Sequence, residues 1–353
     1  MKSQFSNIII DWYQQNKRVL PWRQTKDPYK IWLSEVILQQ TRVAQGMPYY
    51  EKFIKNFPTI QDLAEADEEE VLKLWQGLGY YSRARNLHFT AKYVTDVLEG
   101  KFPDTYTELL KLKGVGDYTA SAIAAFCFNE NTATVDGNVY RVLARYFGVE
   151  LAINTSSAKK YFKDLAQELI DPERPAIFNQ AIMEFGSLQC APAQPKCVNC
   201  PLADSCVALQ KNSVKELPKK EKKLKITKRY FNYLVLETAA NETVLQQRTG
   251  KGIWQNLYEF PVVETTSEID YAALLQEASF LDFVANQDFT LQLLTQNSIL
   301  HKLSHQHLTI KFWLLKTPAW HTNTITKEKA RSLPVPIVIH NFMDEIWRVK
   351  SKS

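Results

Sequence analysis

Cysteine is nearly absent from most of this 353-residue chain, which contains five cysteines in all. Four of them lie in one short stretch with the pattern C-x6-C-x2-C-x5-C: Cys190, Cys197, Cys200 and Cys206. With only Cys127 elsewhere, no disulfide framework can span the chain. The four thiols predict a metal or cluster site. Two local disulfides and a zinc site are the alternatives, although zinc sites usually show two closely spaced pairs.

The sequence also lacks a long apolar run and a large excess of one charge. No stretch approaches the ~20 apolar residues of a membrane span. Residues 1–15 contain polar and charged side chains and no signal-peptide core, so we expect a soluble cytoplasmic protein without a membrane partner. The net charge is +5, but nine basic and two acidic residues lie between Lys211 and Arg229. The remainder is thus nearly neutral, and a surface that binds nucleic acid must arise from segregated charges.

The basic stretch at residues 211–229 separates two kinds of apolar periodicity. Before it, apolar residues recur at helical spacing, for example in Ile31–Gln45. After it, segments such as Thr243–Gln247 alternate as strands do. We therefore predict a helical domain at residues 1–210, a linker at 211–229 and an α/β domain at 230–353. The linker is either a solvated tether or a segment that follows DNA phosphates.

Glycine is scarce, with 11 residues, well below the usual ~7%. Two of them form the turn Lys113-Gly114-Val115-Gly116-Asp117 between two predicted helices. Such a turn exposes backbone N–H groups at a helix N-terminus and suits a phosphate oxygen. Many Gly-x-Gly turns, however, only allow two helices to pack closely.

Two carboxylates occur in informative surroundings. Glu35 lies among large apolar residues, so it is either on a solvated helix face or a carboxylic acid whose pKa is raised by desolvation. Asp136 and Asn138 flank Gly137 at a predicted helix start, where either side chain could be an N-cap.

Together with the cysteine spacing, these segments resemble the MutY family of adenine DNA glycosylases, within the endonuclease III (helix-hairpin-helix) superfamily. The motifs are Leu20-Pro21-Trp22-Arg23, Trp32-Leu33-Ser34-Glu35-Val36, Leu38-Gln39-Gln40-Thr41, Gly77-Leu78-Gly79-Tyr80-Tyr81, Val135-Asp136-Gly137-Asn138 and the four cysteines. The resemblance covers the first domain nearly end to end. It implies an all-α helix-hairpin-helix glycosylase domain with a [4Fe-4S] cluster loop at residues 190–206.

The resemblance also implies the reaction and the partner. The enzyme would act as a monomer on double-stranded DNA, remove adenine mispaired with 8-oxoguanine or guanine, and leave an abasic site for base excision repair. The setting would be the bacterial cytoplasm, in association with the nucleoid. The four cysteines would hold the [4Fe-4S] cluster, which would order a loop that presents cations to DNA; a redox role stays open.

Catalytic roles follow from the same resemblance. Glu35 would be the general acid that protonates adenine, and Asp136 would stabilise the oxocarbenium-like deoxyribose. Asn138 would hold Asp136, and Tyr118 would orient the two carboxyls. Tyr118 occupies the place of a lysine in strand-cleaving relatives, and Tyr140 occupies the place of a second lysine found in some members. A monofunctional glycosylase is therefore expected.

Contacts to DNA are implied for further residues of the first domain. They are Trp22 and Arg23 at the adenine pocket, Gln40 and Tyr80 as wedges in the helix, Thr41 and Leu78 near 8-oxoguanine, and Gly114 and Gly116 at backbone phosphates. Flipping a base out of a duplex requires such wedges, because the gap in the stack must be filled.

The segment Gly250–Pro261 resembles the entry to a Nudix fold, but the glutamate-rich box of Nudix hydrolases is missing. Thr265–Ala278 contains only scattered acidic residues. We therefore expect a C-terminal α/β Nudix-like domain that recognises 8-oxoguanine and does not hydrolyse nucleotides. Ser304 and His305 fall in the family's recognition loop, in which Leu303 replaces a phenylalanine. His305 could equally be an ordinary histidine at a strand end.

Three other functional classes are weighed against this interpretation. A thymine-mismatch glycosylase shares the first domain, but Glu35 and the C-terminal domain argue against it. A catalytically inactive DNA-binding module conflicts with the presence of both carboxylates. A nucleotide hydrolase would need the missing glutamates.

Overall fold

The computed structural model describes residues 2–221, 226–285, 287–295, 297–320 and 323–347. Residues 222–225 of the predicted linker lie outside this description. The chain forms two compact units, the first made of residues 1–65 and 86–222 and the second of residues 66–85 and 223–353. The second unit thus takes in a segment that the sequence pattern places in the helical domain. The residue limits of the predicted domains stay predictions.

Helices dominate the chain up to residue 210. They are α1 (Lys2–Asn16), α2 (Pro28–Leu38), α3 (Val43–Asn56), α4 (Ile60–Glu65), α5 (Glu68–Leu74), α6 (Ser82–Asp96), α7 (Tyr106–Leu109), α8 (Asp117–Phe128), α9 (Gly137–Phe147), α10 (Ser156–Leu169), α11 (Pro175–Leu188) and α12 (Val207–Gln210). Short 3-10 turns span Pro21–Arg23, Cys197–Asn199 and Ala203–Ser205. This agrees with the helical periodicity of the sequence.

Local signals explain several helix ends. Asp27 accepts a hydrogen bond from Tyr29 N at the start of α2, where Pro28 fits because a proline needs no N–H partner there. At the other end, α2 stops at Leu38. The single helix expected over Ile31–Gln45 is therefore interrupted, and Gln40 adopts a left-handed conformation with φ of 58°. An α-helix cannot continue through that conformation.

The core of the first unit is formed by the apolar faces of α1, α9, α10 and α11. Its fully buried side chains include Phe5, Ile9, Leu143, Phe162 and Phe178. Small residues let α8 pack against both α2 and α11, since Ala120, Ala122 and Ala124 are completely buried. These close contacts bring α2, α8, α9 and α11 around one cavity, and the predicted catalytic residues lie on α2, on α8 and at the start of α9.

The second unit contains a five-stranded mixed sheet. The strands of the whole unit are β1 (Thr227–Thr238), β2 (Glu242–Thr243), β3 (Gln246–Gln247), β4 (Tyr258–Glu259), β5 (Val262–Thr265), β6 (Thr290–Leu293), β7 (Ile299–Lys302), β8 (Gln306–Thr317) and β9 (Ile325–Thr326). The sheet order is β5-β1-β8-β6, with β7 also paired to β8. The central strands β1 and β8 run parallel, with Tyr230 opposite Thr309. The expected strand Thr243–Gln247 is divided between two short ladders, β2 with β9 and β3 with β4.

Helices complete the second unit. They are α13 (Tyr271–Leu274), α14 (Ala278–Val284), α15 (Lys327–Ser332) and α16 (Ile337–Ile346). Leu274, Phe280, Trp313 and Leu315 belong to a buried cluster on one side of the sheet. Across the described ranges, we find no helix with the length and apolar character needed to cross a membrane.

Candidate active site

An open cavity of about 1170 Å³ in the first unit gathers most of the predicted site residues. Its lining includes Trp22, Arg23, Glu35, Gln40, Thr41, Gly114, Gly116, Tyr118, Asp136 and Asn138. These residues come from α2, α8 and α9 and from the turns next to these helices. The other predicted contacts, Leu78, Tyr80, Ser304 and His305, line a separate cavity of about 620 Å³ within the second unit.

Glu35 is a buried carboxylic acid in the first cavity. Its position on α2 leaves it 6% exposed, next to the fully buried Leu33 and Trp32. Burial raises its pKa to about 7, and the nearby charge of Asp136 adds to the shift, while the Tyr118 hydroxyl acts in the opposite sense. At neutral pH a large fraction of Glu35 is therefore protonated, which is the state that a general acid requires.

Asp136 is held differently. Its Oδ1 accepts hydrogen bonds from the backbone N–H groups of Asn138 and Val139, each at 2.8 Å, and its Oδ2 accepts one from Asn138 Nδ2 at 2.7 Å. Burial raises the pKa of Asp136 above its ordinary value, and these three donors and Arg141 reduce that rise without cancelling it. The N-cap interpretation is thus correct for Asp136. Because a cap and a catalytic anion need the same donors, this does not exclude the second role.

Tyr118 lies at the start of α8 and contacts Glu35. Its hydroxyl donates to Glu35 Oε2 at 2.5 Å. Burial and both neighbouring carboxyls raise the pKa of Tyr118 well above its ordinary value, so it remains a hydrogen-bond donor. The structure thus shows Tyr118 bonded to Glu35 and Asn138 bonded to Asp136, and the orienting roles of both residues stay predictions.

The sequence did not predict a buried ion-pair cluster that lies on the wall of this cavity. Glu184 on α11 is 1% exposed and accepts hydrogen bonds from Arg18 Nη2 at 2.7 Å and Arg23 Nη2 at 2.9 Å. Burial alone would raise the pKa of Glu184, but the two arginines outweigh it and lower the pKa to about 2. The same sequence signal that identified Glu35 was available for Glu184, which is a lone glutamate in the apolar run Ala181–Phe185.

Replacing Glu184 by Gln is expected to lower the free energy of unfolding by roughly 3 kcal/mol at pH 7, because two partly buried arginines lose their counter-charge. Below pH 4.5, the ordinary value, the parent progressively loses the same contribution until Glu184 is protonated near pH 2. The difference between parent and variant should therefore shrink with acidification. Urea unfolding at pH 7 and pH 3 measures it.

The matched control is Glu150→Gln, which removes an exposed pair with Lys219. Solvent screens an exposed pair, so this variant should differ little from the parent in stability. If Glu184→Gln lowered the free energy of unfolding by the same amount at both pH values, the stabilising ion pair assigned to Glu184 would be contradicted.

The hairpin α7–turn–α8 carries the two predicted phosphate-binding glycines. Gly114 has φ of 80°, and a Cβ there would lie 2.7 Å from Asn86 Cβ, so glycine is required for both reasons. Gly116 is exposed at the N-cap of α8, with open space around it. Asp117, next along the helix, is paired with Lys163 at 3.1 Å, which offsets a negative charge beside this N-terminus.

The four clustered cysteines line one small cavity together with Arg145, Gln189 and Leu209. In the described residues, no three metal-binding side chains converge closely enough to hold one metal ion. Zinc needs all four ligands within about 2.3 Å of a single ion, whereas each iron of a cluster has its own cysteine. Four thiols are a donor set that both a [4Fe-4S] cluster and a zinc ion use, and no disulfide joins these thiols.

Two buried arginines of α9 connect the cysteine loop to Asp136. Arg145 donates to Cys190 Sγ at 3.4 Å, and Arg141 donates to the Cys190 carbonyl at 2.7 Å. Arg141 also donates to Asn138 Oδ1 at 2.8 Å, and Asn138 in turn holds Asp136. The cysteine loop and the Asp136 carboxylate thus share one hydrogen-bond network.

In the second unit, Tyr80 and Ser304 face the same cavity. Tyr80 is 47% exposed and its hydroxyl contacts Ser304 Oγ. Ser304 and His305 are exposed residues between β7 and β8. Trp254 and the ring of His301, 5.7 Å apart, belong to the wall of this cavity.

Two acidic residues after the Nudix-like entry have structural partners. Glu268 is paired with Lys311 at 3.1 Å, and Asp270 caps α13 by accepting from Ala273 N.

Comparison with known proteins confirms the fold class. Residues 33–172 match the HhH-GPD superfamily of base excision DNA repair proteins, and residues 232–345 match the NUDIX domain. The solved structure of a thermostable thymine-DNA glycosylase is similar with a TM-score of 0.55 and 31% identity, covering 60% of this chain and 97% of that chain.

The similar proteins that extend over both parts of the chain are described as adenine DNA glycosylases. The adenine DNA glycosylase of Buchnera aphidicola subsp. Baizongia pistaciae is 36% identical over 319 residues, 88% of this chain and 86% of that protein. The adenine DNA glycosylase of Rattus norvegicus is also 36% identical, over 98% of this chain and 77% of that protein. The chain, with its helix-hairpin-helix part followed by a Nudix-like part, belongs to the MutY family of adenine DNA glycosylases.

Proposed function

We propose that this enzyme is a monofunctional glycosylase that removes adenine paired with 8-oxoguanine or guanine and leaves an abasic site. One observation carries the proposal. A single cavity contains a carboxyl with a pKa of about 7, Glu35, and a second carboxyl, Asp136, which accepts three hydrogen bonds. Two carboxyls in such different environments suit the division of work between acid and anion in glycoside hydrolysis.

The reaction follows from these two environments. Glu35 donates its proton to adenine N7 while the C1′–N9 bond breaks and the bonding electrons leave with the base. Asp136 stabilises the positive charge that develops at C1′ and O4′, or bonds to C1′ directly. A water molecule then adds to C1′, and Glu35 accepts its proton.

Strand cleavage by a lysine Schiff base is not expected. Tyr118 occupies the hairpin position from which a lysine would act, and its hydroxyl is engaged with Glu35. Tyr140, four residues after Asp136, packs against Phe162 with ring centroids 5.2 Å apart. Neither side chain offers an amine to attack C1′.

Duplex DNA, bound by a protein monomer in the bacterial cytoplasm, is the proposed partner. Gly114 and Gly116 would position phosphates without reading sequence. Gln40 and Tyr80 would fill the gap left by the flipped adenine; both have positive φ, 58° and 50°, as strained residues at functional sites often do. Trp22 and Arg23 would line the base pocket, and Thr41 and Leu78 would lie near 8-oxoguanine.

The lesion would be read by Ser304 and His305. Both are exposed and polar, and both line the cavity of the second unit. Leu303 supplies no aromatic ring, so hydrogen bonds rather than stacking would distinguish 8-oxoguanine from guanine here. The four cysteines would hold a [4Fe-4S] cluster, which supplies a rigid, cross-linked loop when bound.

The test is single-turnover base release from duplexes with one adenine opposite 8-oxoguanine, guanine or thymine, followed by treatment with or without alkali. We expect release opposite the first two bases, fastest opposite 8-oxoguanine, and strand breaks only after alkali. Strand breaks without alkali would contradict the monofunctional assignment. Equal rates opposite 8-oxoguanine and guanine would contradict the lesion preference.

A further inference from the structure

The loop that carries Leu78 and Tyr80 is anchored on both sides by one turn of the Nudix-like part. We name residues 75–81 the wedge loop; α5 precedes it and α6 follows it. We name residues 254–258 the anchor turn. All of these residues belong to the second unit.

Two hydrogen bonds join the anchor turn to α5. Asn256 Nδ2 donates to Glu68 Oε1 at 2.6 Å, and the Tyr258 hydroxyl donates to Glu69 Oε1 at 2.6 Å. Both acceptors are carboxylates, so these bonds are of the stronger, charge-assisted kind. The charge on each acceptor strengthens these bonds without burial. Because Glu68 and Glu69 are adjacent, the two bonds hold neighbouring side chains of α5.

On the other side of the wedge loop, α6 makes the matching contact. Arg85 Nη1 donates to the carbonyl of Gln255 at 2.8 Å, and Arg85 Nη2 donates to Gln255 Oε1 at 3.4 Å. Three positions of the anchor turn, 255, 256 and 258, thus bond to the helices at both ends of the wedge loop. A displacement of the anchor turn would be transmitted to the loop from two sides.

The anchor turn is itself firmly held. Arg248 Nε donates to the Ile253 carbonyl at 3.1 Å, and Asn256 N donates to the Arg248 carbonyl at 2.8 Å. Arg248 is paired with the buried Glu259, which also accepts from the Tyr233 hydroxyl at 2.9 Å. The turn is therefore a rigid support rather than a mobile surface loop.

The wedge loop needs such a support because its conformation is unfavourable on its own. Gly77, Gly79 and Tyr80 all have positive φ, of 103°, 73° and 50°. Glycine tolerates this region, but a residue with a side chain does not adopt it readily, and Tyr80 persists there only if its surroundings impose it. Tyr80 also contacts Ser304, the proposed lesion-reading residue.

We propose that Asn256 and Tyr258 are positioning residues that set the wedge loop for recognition of 8-oxoguanine. They act through Glu68 and Glu69 on the placement of Tyr80, and touch neither the reacting sugar nor Glu35. The inference rests on the proposed function, because it concerns the preference for 8-oxoguanine over guanine. It explains why residues 66–85 form one compact unit with the Nudix-like part.

The test variant is Asn256→Gly combined with Tyr258→Phe. Glycine keeps the φ of 66° at position 256 and removes only the amide, while phenylalanine removes only the hydroxyl. The control, Asn241→Gly with Tyr271→Phe, makes the same two changes elsewhere in the unit, and Asn241 also has a positive φ, 61°. For each variant we would measure the single-turnover rate on duplexes with adenine opposite 8-oxoguanine and opposite guanine. We would also measure Tm and the affinity for the same duplexes with a non-cleavable adenosine analogue.

We expect the test variant to lose about tenfold in rate or affinity on the 8-oxoguanine duplex, with less than about twofold change on the guanine duplex. The control should keep the parent's preference. In a Tyr80→Ala background the same two substitutions should change the preference no further, because the interaction acts through Tyr80.

Equal losses on both duplexes, a lower Tm with an unchanged preference, or additive effects with Tyr80→Ala would overturn the proposal. Failure of the proposed function is distinguishable from these outcomes, because the parent protein itself would then release no adenine or show no preference for 8-oxoguanine.

Discussion

Replacing Glu35 by Gln reduces the single-turnover rate of adenine release by roughly 10²–10⁴-fold if Glu35 is the general acid. Gln has the shape of the protonated acid and can still accept from the Tyr118 hydroxyl, but it has no proton to transfer to N7. Binding of duplex DNA should be nearly unchanged, since Glu35 is buried and contributes no surface charge. Rates and dissociation constants on the same 8-oxoguanine duplex separate the two effects.

The pH dependence supplies a second readout for Glu35. With a pKa of about 7 in the folded enzyme, the reactive protonated form is lost as pH rises, and the rate should fall about tenfold per pH unit above that value. An adenine release rate that is flat from pH 6 to pH 9, or a Glu35→Gln variant with parental turnover, would return Glu35 to the status of a buried structural residue.

Stability should change in the opposite direction to activity. The folded pKa of Glu35 is above its ordinary 4.5, so its contribution to stability is complete below pH 4.5 and is lost as pH rises through 7. Glu35→Gln removes this loss. The variant should therefore be more stable than the parent at pH 8, by on the order of 3 kcal/mol, and similar to it at pH 5. Urea unfolding at the two pH values measures the difference.

The second large effect is expected for Asp136→Asn, with a loss of at least about 10²–10³-fold in base release. The variant removes the negative charge that opposes the positive charge at C1′. Asn is as good an N-cap as Asp, so the start of α9 should remain intact and Tm should change little. Single-turnover rates together with thermal unfolding make the measurement.

Asp136→Ala is the matched comparison. It removes both the charge and the cap and should lower stability by about 1 kcal/mol in addition to the loss of activity. If Asp136→Asn retained activity within a few-fold of the parent while Asp136→Ala lost it, Asp136 would be a cap alone. The observed donors, two backbone N–H groups and the Asn138 amide, would then serve only to start the helix.

Much of the site could be predicted because its signals are local. The turn with Gly114 and Gly116 needs a left-handed residue at one position, and the structure has φ of 80° there. The four cysteines lie within a short stretch and line one cavity. Asp136 precedes its helix by one residue and caps it. Each feature depends on residues only a few positions apart, so spacing alone reveals it.

Other features could not be predicted because they join distant parts of the chain. Tyr118 bonds to Glu35 across 83 residues, and Arg18 bonds to Glu184 across 166. The periodicity of residues 31–45 gave no sign that the helix stops at Leu38, since apolar spacing continues through the break. Residues 66–85 look like any other helical segment, and their contacts with the Nudix-like part span 188 residues or more at Glu68 and Glu69.

The sequence by itself therefore determined the chemistry that this protein carries: a thiol cluster, two carboxyls at helix positions, a hairpin turn and a strand-rich second part. Tertiary structure alone decided how those groups act. Packing of α2, α8, α9 and α11 removes water from Glu35 and raises its pKa to about 7. The physical reason is that desolvation and hydrogen-bond geometry depend on neighbours in space, which spacing along the chain does not specify.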